Sequence, residues 1–403
     1  MTLRQFFRKY SEIYTVFLPL TGVFLIIYVG ILAFSSTTII PPGYPIDPET
    51  NALLYIHRSL VTIPSVTTYE HAAANFLNSY LTSQGWTVEL QSVSATPERV
   101  NVFAYRGKTR ENKVLFTSHI DTVPPFIPYS VHDGYIWGRG SVDAKASVAA
   151  QIVAVSELLE SGAVGEGDIA LLYVVGEETD GIGMITANDL NLEFETAIFG
   201  EPTESKLAVG HKGLILADVY ATGLASHSGY PELGIDANYY LIEALYKMQH
   251  LTYPVSELLG NTTFNAGTLD GGVAANVVSA TATSSLAIRV AADTEMVVSI
   301  LKQAVLDIPH VELNVTLTYS PVICDYDVPG FDTYIANYGT DIPHLMGTHK
   351  RYLYGPGSIL YAHADNERIG EQELVDSVTG YKQIAAHALG VSLKNEMTEK
   401  KET

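Results

Sequence analysis

The sequence predicts an α/β fold: a mostly parallel sheet covered by helices, carrying an inserted ferredoxin-like βαββαβ domain. Three observations predict it. Continuous apolar runs at 114–117, 169–175 and 197–199 alternate with helical stretches, the mark of parallel strands buried on both faces. Beyond Gly210 the order becomes strand, helix, strand, strand, helix, strand. The length of 403 residues is too great for one ordinary domain and fits about two.

Each element has a local reason. Residues 49–60 and 70–83 read as helices, the second stopped by Gly85 just past its end. Short β-rich runs follow at 86–90, 101–105 and 114–117. Residues 144–159 make a helix that ends before Gly162, and the apolar runs 169–175 and 197–199 come next. In the inserted part, 214–222, 263–269, 277–289 and 311–319 read as strands, with Gly271-Gly272 in a turn. The spans 236–250 and 294–306 read as its helices. The α/β pattern then returns through Tyr354 and a last helix over 374–389. The α/β domain therefore comes in two pieces, 47–209 and 323–393, around an insertion at 210–322. Residues 394–403 form a polar tail.

With 47% hydrophobic and 17% charged residues, the chain has ample material for a core, which excludes disorder over most of its length. Lys plus Arg is 23 against 44 Asp plus Glu, a net charge of −21, so nothing can neutralise phosphates and no nucleic-acid partner is expected. The single Cys324 excludes a disulfide scaffold and a cysteine zinc site; it reads as a small buried hydrophobe.

No charged residue occurs between Glu12 and Asp47, and 14–34 is nearly all apolar. About 20 such residues span a bilayer. Arg4, Arg8 and Lys9 precede the stretch, so 1–13 is expected in the cytoplasm and the rest beyond the membrane. The apolar length exceeds that of a cleaved signal peptide, which is the rival reading and would make the protein secreted. Residues 35–46 read as a linker. Sequons at Asn261 and Asn314 agree with a secretory route and a lumenal (vacuolar) or extracellular domain.

Three of the apolar runs end in polar clusters: His119-Ile-Asp121, Gly176-Glu177-Glu178, and Gly200-Glu201-Pro202-Thr203. Ligands of open α/β sheets bind beyond the carboxyl ends of strands, so the fold gathers these groups into one crevice. Asp143 joins them at the start of a helix. Carboxylates this close raise one another's pKa, and a cation removes the conflict. Histidine and carboxylate without cysteine suit catalytic zinc, with cobalt or manganese as substitutes. Charge counting favours two metals, because two divalent ions balance three carboxylates and one hydroxide.

The ordered motifs SHIDTVP, GRGSVDAK, GEETDG, GEPT and YGPG…AHADNE resemble a family of di-zinc hydrolases. Its members include acetylornithine deacetylase, succinyl-diaminopimelate desuccinylase, aminoacylase, carboxypeptidase G and vacuolar carboxypeptidase S. The resemblance covers about residues 50 to 390, and the N-terminal anchor resembles the vacuolar branch and its secreted fungal relatives. It implies two Zn2+ per chain, with His119 and Glu201 on one, Glu178 and His363 on the other, and Asp143 between them. It implies Glu177 as general base and Asp121 as the acid that orients His119. It makes the insertion a lid and dimerisation domain, with His227 as oxyanion donor, often supplied by a partner subunit. Asn276 becomes a substrate-binding residue and Arg289 the grip on the substrate's free carboxylate. Relatives often carry Pro shortly after this arginine, where Arg289-Val-Ala-Ala-Asp stands here, and Gly where Ala146 stands.

The resulting expectation is a hydrolase that cuts an amide bond beside a residue with a free carboxylate, most simply a carboxypeptidase on short peptides. An N-acyl amino-acid deacylase needs the same parts. A metal-binding protein without catalysis would not be expected to keep Glu177. An unrelated di-zinc aminopeptidase would need to read an amine, which the insertion and Arg289 oppose. His211, His250, His310, His344 and His349 carry no motif and read as surface or packing residues; Asp180 and Asp365 receive no ligand role.

Overall fold

The computed structural model describes residues 51–96 and 98–393. The anchor and linker expected over 14–46 and the tail over 394–403 lie outside the described residues. Among the described residues, no helix is long and apolar enough to cross a membrane.

The chain opens with α1 (Ala52–Thr62) and α2 (His71–Ser83), then β1 (Thr87–Ala95), β2 (Glu98–Tyr105) and β3 (Val114–His119). It continues through α3 (Lys145–Glu160), β4 (Ile169–Val174), α4 (Ile182–Ala187) and β5 (Thr196–Gly200). Next come β6 (Gly213–Thr222), α5 (Ala237–Gln249), β7 (Thr263–Ala266), β8 (Thr281–Val290), α6 (Thr294–Leu306) and β9 (Val311–Tyr319). It closes with β10 (Lys350–Tyr354) and α7 (Glu371–Leu389).

The main sheet has the order β1-β2-β4-β3-β5-β10. Its β4, β3, β5 and β10 are parallel, and β1 and β2 form an antiparallel hairpin at one edge. Every residue of β3, β4 and β5 is buried, which is why their sequences are apolar without alternation. Helix α3 lies in the core: Val148, Ile152, Val155 and Leu158 are all buried against the cluster that also holds Phe116, Tyr354 and Tyr381. Each such aliphatic side chain contributes roughly 1.5–3 kcal/mol. Gly85, at a φ of 80°, follows the end of α2 as expected.

The second sheet, β7-β8-β6-β9, is antiparallel throughout. With α5 and α6 it completes the expected β-α-β-β-α-β run. Strands β6 and β8 alternate buried with part-exposed residues, because α5 and α6 cover only one face. Asp236 and Asp293 cap those helices by accepting from the N–H of Asn238 and Met296. Their core is separate: Ile215, Val219, Leu241, Leu286, Ile288 and Leu301 pack together.

Three features depart from expectation. Strand β8 begins at Thr281 rather than 277, since the preceding residues pair with a loop: Val278 N–H donates to Ser226 O. Asp270 and Gly271 lie in a short strand against β8 instead of a turn. The strand Leu207–His211 crosses the expected boundary at 210, pairing with Val322–Ile323 and Thr333–Ala336. Cys324 is buried as expected, and burial pushes its thiol up to about 12.

Candidate metal centre

The parallel strands bring their carboxyl ends level: His119 on β3 is in register with Val174 on β4, and Thr117 with Phe199 on β5. His119 closes β3, Gly176-Glu177-Glu178 follows β4, and Glu201 follows β5. Asp143 stands just before α3, joined to Ala144 by a cis peptide. His363 lies on the loop between β10 and α7. Gly176 has a φ of 80°, and a Cβ there would come within 2.6 Å of Arg99 Nη2, so the turn that presents the two glutamates requires glycine.

Asp143 faces both imidazoles. Its Oδ1 is 3.1 Å from His119 Nε2 and its Oδ2 is 3.3 Å from His363 Nε2. Glu201 Oε1 is 3.7 Å from His119 Nε2, and Glu178 Oε2 is 2.9 Å from His363 Nε2. Ligand atoms of His119, Glu177 and Glu201 lie within 4.8 Å of one another, as do those of His119, Asp143 and Glu178. The residues expected as metal ligands are thus together, with Glu177 beside them.

Asp121 does more than orient His119. His119 Nδ1 is 3.0 Å from the Asp121 carbonyl and 3.5 Å from its Oδ1, so the carbonyl is its nearer acceptor. The Asp121 carboxylate accepts from the N–H groups of Glu177 and Glu178 and from the Thr67 hydroxyl. It therefore pins the turn that carries both glutamates as well as the ring.

The electrostatics describe a site short of positive charge. Burial and the nearby Glu201 push Glu177 well above the usual carboxyl range, with His119 opposing. Burial and Asp143 do the same to Glu201 against His119. Glu178 is raised by burial and Asp143. Burial opposes a charge on His119, yet Glu201, Asp121 and Asp143 outweigh it and hold that ring well above its ordinary value. His363 is pushed up to about 10 by its bonds to Asp143 and Glu178.

Metal ions fit this donor set. The His119 ring turns Nδ1 to a carbonyl and leaves Nε2 among carboxylates, the usual arrangement of a metal-bound imidazole. Nearby carboxyls raised by burial and mutual repulsion are what divalent charge would relieve. The residues that would hold it are His119, Asp143, Glu178, Glu201 and His363.

A cavity of about 220 Å³ adjoins the cluster, lined on one side by Glu177 and Glu178 and on another by His211, Lys212 and Arg289. Arg289 sits in β8, burial lowers its pKa, and no hydrogen bond or ion pair to its side chain occurs among the described residues. His227 and Asn276 are exposed and do not line this cavity. They neighbour each other through a backbone bond from Ser228 N–H to Asn276 O.

Sequence reasoning missed Asp341. It is buried, lines the cavity, and burial with Asp121 and Asp180 pushes it up to about 7 against His119. Nothing beside Asp341 marks it locally; only the fold brings it in. His211 is buried, in line with a packing role, and both it and the half-buried His344 line the same cavity.

A profile of peptidase family M20/M25/M40 matches residues 115–387. A peptidase M20 domain-containing protein of Schizosaccharomyces pombe is 50% identical over 345 residues, covering 85% of this chain and 86% of that one. A protein of Aspergillus niger named probable carboxypeptidase is 44% identical, covering 85% and 91%. The solved structure of an aminopeptidase from Bacillus cereus shares the fold, with a TM-score of 0.70 at 22% identity over 85% of this chain and 99% of that one. The chain belongs to peptidase family M20/M25/M40 and is a metallopeptidase.

Proposed function

We propose that this metallopeptidase is a two-zinc carboxypeptidase that cuts the last peptide bond of short peptides. Arg289 carries the reading: a partly buried cation without a partner faces the same cavity as Glu177 and Glu178. A desolvated, unpaired guanidinium is costly, and a substrate carboxylate that binds it in a bidentate pair would offset that cost. The fold does not decide the matter, because an aminopeptidase shares it; the insertion therefore does not oppose an amine reader, and Arg289 alone does.

Bound zinc would polarise the scissile carbonyl and activate water. The protein does the rest. Asp121 fixes the turn from which Glu177 reaches that water. Glu177 takes the proton and passes it to the leaving amine. Arg289 holds the C-terminal carboxylate and so sets which bond meets the metals.

The test is Arg289→Met, assayed on a blocked dipeptide and its C-terminal amide. Lost charge-assisted bonds of about 1.5–3 kcal/mol correspond to a fall of roughly 10- to 150-fold in kcat/KM for the acid, with the amide unaffected. Equal effects on both would remove Arg289 from carboxylate binding. N-acetyl amino acids, tested beside blocked dipeptides, separate a carboxypeptidase from a deacylase.

The second sheet with α5 and α6 would serve as the lid and as the contact for a homodimer. Tyr239, Ile242 and Tyr246 form an exposed stripe on one face of α5, which suits a second copy. The exposed position of His227, away from the cavity, suits donation to a partner's site. Sedimentation of Ile242→Glu would test the dimer. The apolar 14–34 stretch supports a membrane anchor and a lumenal or extracellular active site; carbonate extraction of the full chain would release the protein if that stretch did not anchor it.

A further inference from the structure

The geometry points to Arg139 and Glu367 as a positioning clamp that fixes His363 against Asp143. It rests on the two-metal reading and adds residues that reading does not use.

The two halves of the centre are built differently. His119, Glu177, Glu178 and Glu201 stand at or just beyond the ends of strands buried in the main sheet. Asp143 and His363 instead come from two loops more than 200 positions apart in sequence, and His363 is half exposed, with 53% of its side chain open. His363 also has a φ of 63°, a left-handed conformation that a residue with a Cβ adopts at a cost. Something must hold that loop.

Arg139 and Glu367 are both 1% exposed and form an ion pair, Nη1 to Oε2, at 2.6 Å. Each then reaches into one ligand loop. Glu367 Oε1 accepts from Gly140 N–H at 2.8 Å, Val142 N–H at 3.3 Å and Asp143 N–H at 3.4 Å. Arg139 donates to Ala364 O at 3.3 Å and His363 O at 3.5 Å, and its Nε to Pro125 O at 3.2 Å. The guanidinium thus grips the carbonyls of the strained residue and its neighbour, while the carboxylate gathers the amides leading into Asp143. Arginine sits on the Asp143 loop and holds the His363 loop; glutamate does the reverse. A lysine could not make these bonds at once, because its single ammonium lacks the planar fork.

The consequence is selective. Zinc held by Glu178 and His363 would depend on the clamp at two ligands, His363 and Asp143, whereas zinc on His119 and Glu201 would meet it only at Asp143 and otherwise rest on the strands. Partners behind metal ligands typically change affinity 10- to 100-fold. The test is zinc titration of the metal-stripped full chain against a chromogenic chelator, with thermal melting of the same samples, for wild type and Arg139→Lys. Glu367→Gln, which keeps shape and can still accept the three amides, serves if Arg139→Lys does not fold. The expected result is two zinc sites in wild type and, in the variant, one of them at least tenfold weaker with the other weakened much less. Unchanged affinities with a lowered Tm would overturn the clamp and leave a purely structural ion pair. Equal weakening of both sites would overturn its selectivity. A wild-type chain that binds no zinc would instead overturn the two-metal reading.

Discussion

At pH 5, His57 and His211 each remove about 2 kcal/mol from the stability of the fold. Both rings are buried, at 0% and 1% exposed. Each has one nitrogen on a carbonyl, His57 Nε2 at 2.8 Å from Ser141 O and His211 Nδ1 at 3.0 Å from Lys212 O. The other nitrogen, Nδ1 of His57 and Nε2 of His211, has no partner. Burial therefore lowers both pKa values to about 4, from 6.5 in an exposed ring. The unfolded chain binds these protons first, so stability is full above pH 6.5 and falls as pH drops toward 4. Integrated from neutral pH to pH 5, each ring costs about 2 kcal/mol, a sizeable part of a stability of about 5–15 kcal/mol. Other groups titrate in this range, including Asp341 with the opposite sign, so the assay is a double difference. Urea melts at pH 7.5 and 5.0, in chelator to remove metal linkage, would compare wild type with His57→Asn. The pH-dependent loss should shrink by about 2 kcal/mol in the variant. An identical loss in the two proteins would refute the reasoning.

Three other outcomes follow from the site. Glu177→Gln should keep its zinc by elemental analysis and lose about 10²- to 10⁴-fold in kcat, while loss of metal would make Glu177 a ligand. Zinc binding at pH 7 should release protons, read by calorimetry in buffers of different ionisation enthalpy, because His363 is pushed up to about 10, His119, Glu178 and Glu201 are raised as well, and zinc takes its ligands deprotonated; no proton release would refute metal binding at these groups. Gly380→Ala should lower Tm without changing zinc affinity, since a Cβ on α7 would strike the Tyr354 ring and hydroxyl.

Much of this was legible in the sequence, for a physical reason. Strands β3, β4 and β5 are buried on both faces, so their apolar runs are continuous, and the polar residues that end them must lie at the sheet's edge. His119, Glu177, Glu178 and Glu201 follow from that alone. His363, Asn276 and Arg289 required the resemblance, because no local pattern marks them. Asp341 escaped both, and Arg139 and Glu367 stand in the motifs GRGSVDAK and AHADNE without any sign there that they pair. The pair joins positions 228 apart, and neither residue sits in a periodic element, so its burial comes only from tertiary packing. The strand Leu207–His211 escaped for a similar reason: its partners Val322–Ile323 and Thr333–Ala336 lie more than a hundred residues away.

The charge of −21 poses a problem for an enzyme proposed to bind an anion, and the layout of the cavity answers it. Four carboxyls near the metal cluster, Glu177, Glu178, Glu201 and Asp341, are raised by burial and by neighbouring acids. Raised carboxyls give up charge, and His119 and His363 are raised as well, so without metal that end of the cavity neither attracts nor strongly repels a carboxylate. Lys212 and Arg289 lie on the wall built by the second sheet and the strand before it, and burial lowers the pKa of each. Lys212 gives one N–H of its ammonium to Asn261 O at 2.7 Å, whereas no side-chain partner to the Arg289 guanidinium occurs among the described residues. In the proposed reading, a peptide entering this cavity would turn its terminal carboxylate to Arg289 and its scissile carbonyl to the metal end. Orientation and metal loading would then be linked: chelation should abolish turnover and, by removing the metals' hold on the far end of the ligand, weaken binding of a product amino acid as well. Product affinity that survives metal removal unchanged, measured by calorimetry, would show that the metals take no part in holding the ligand.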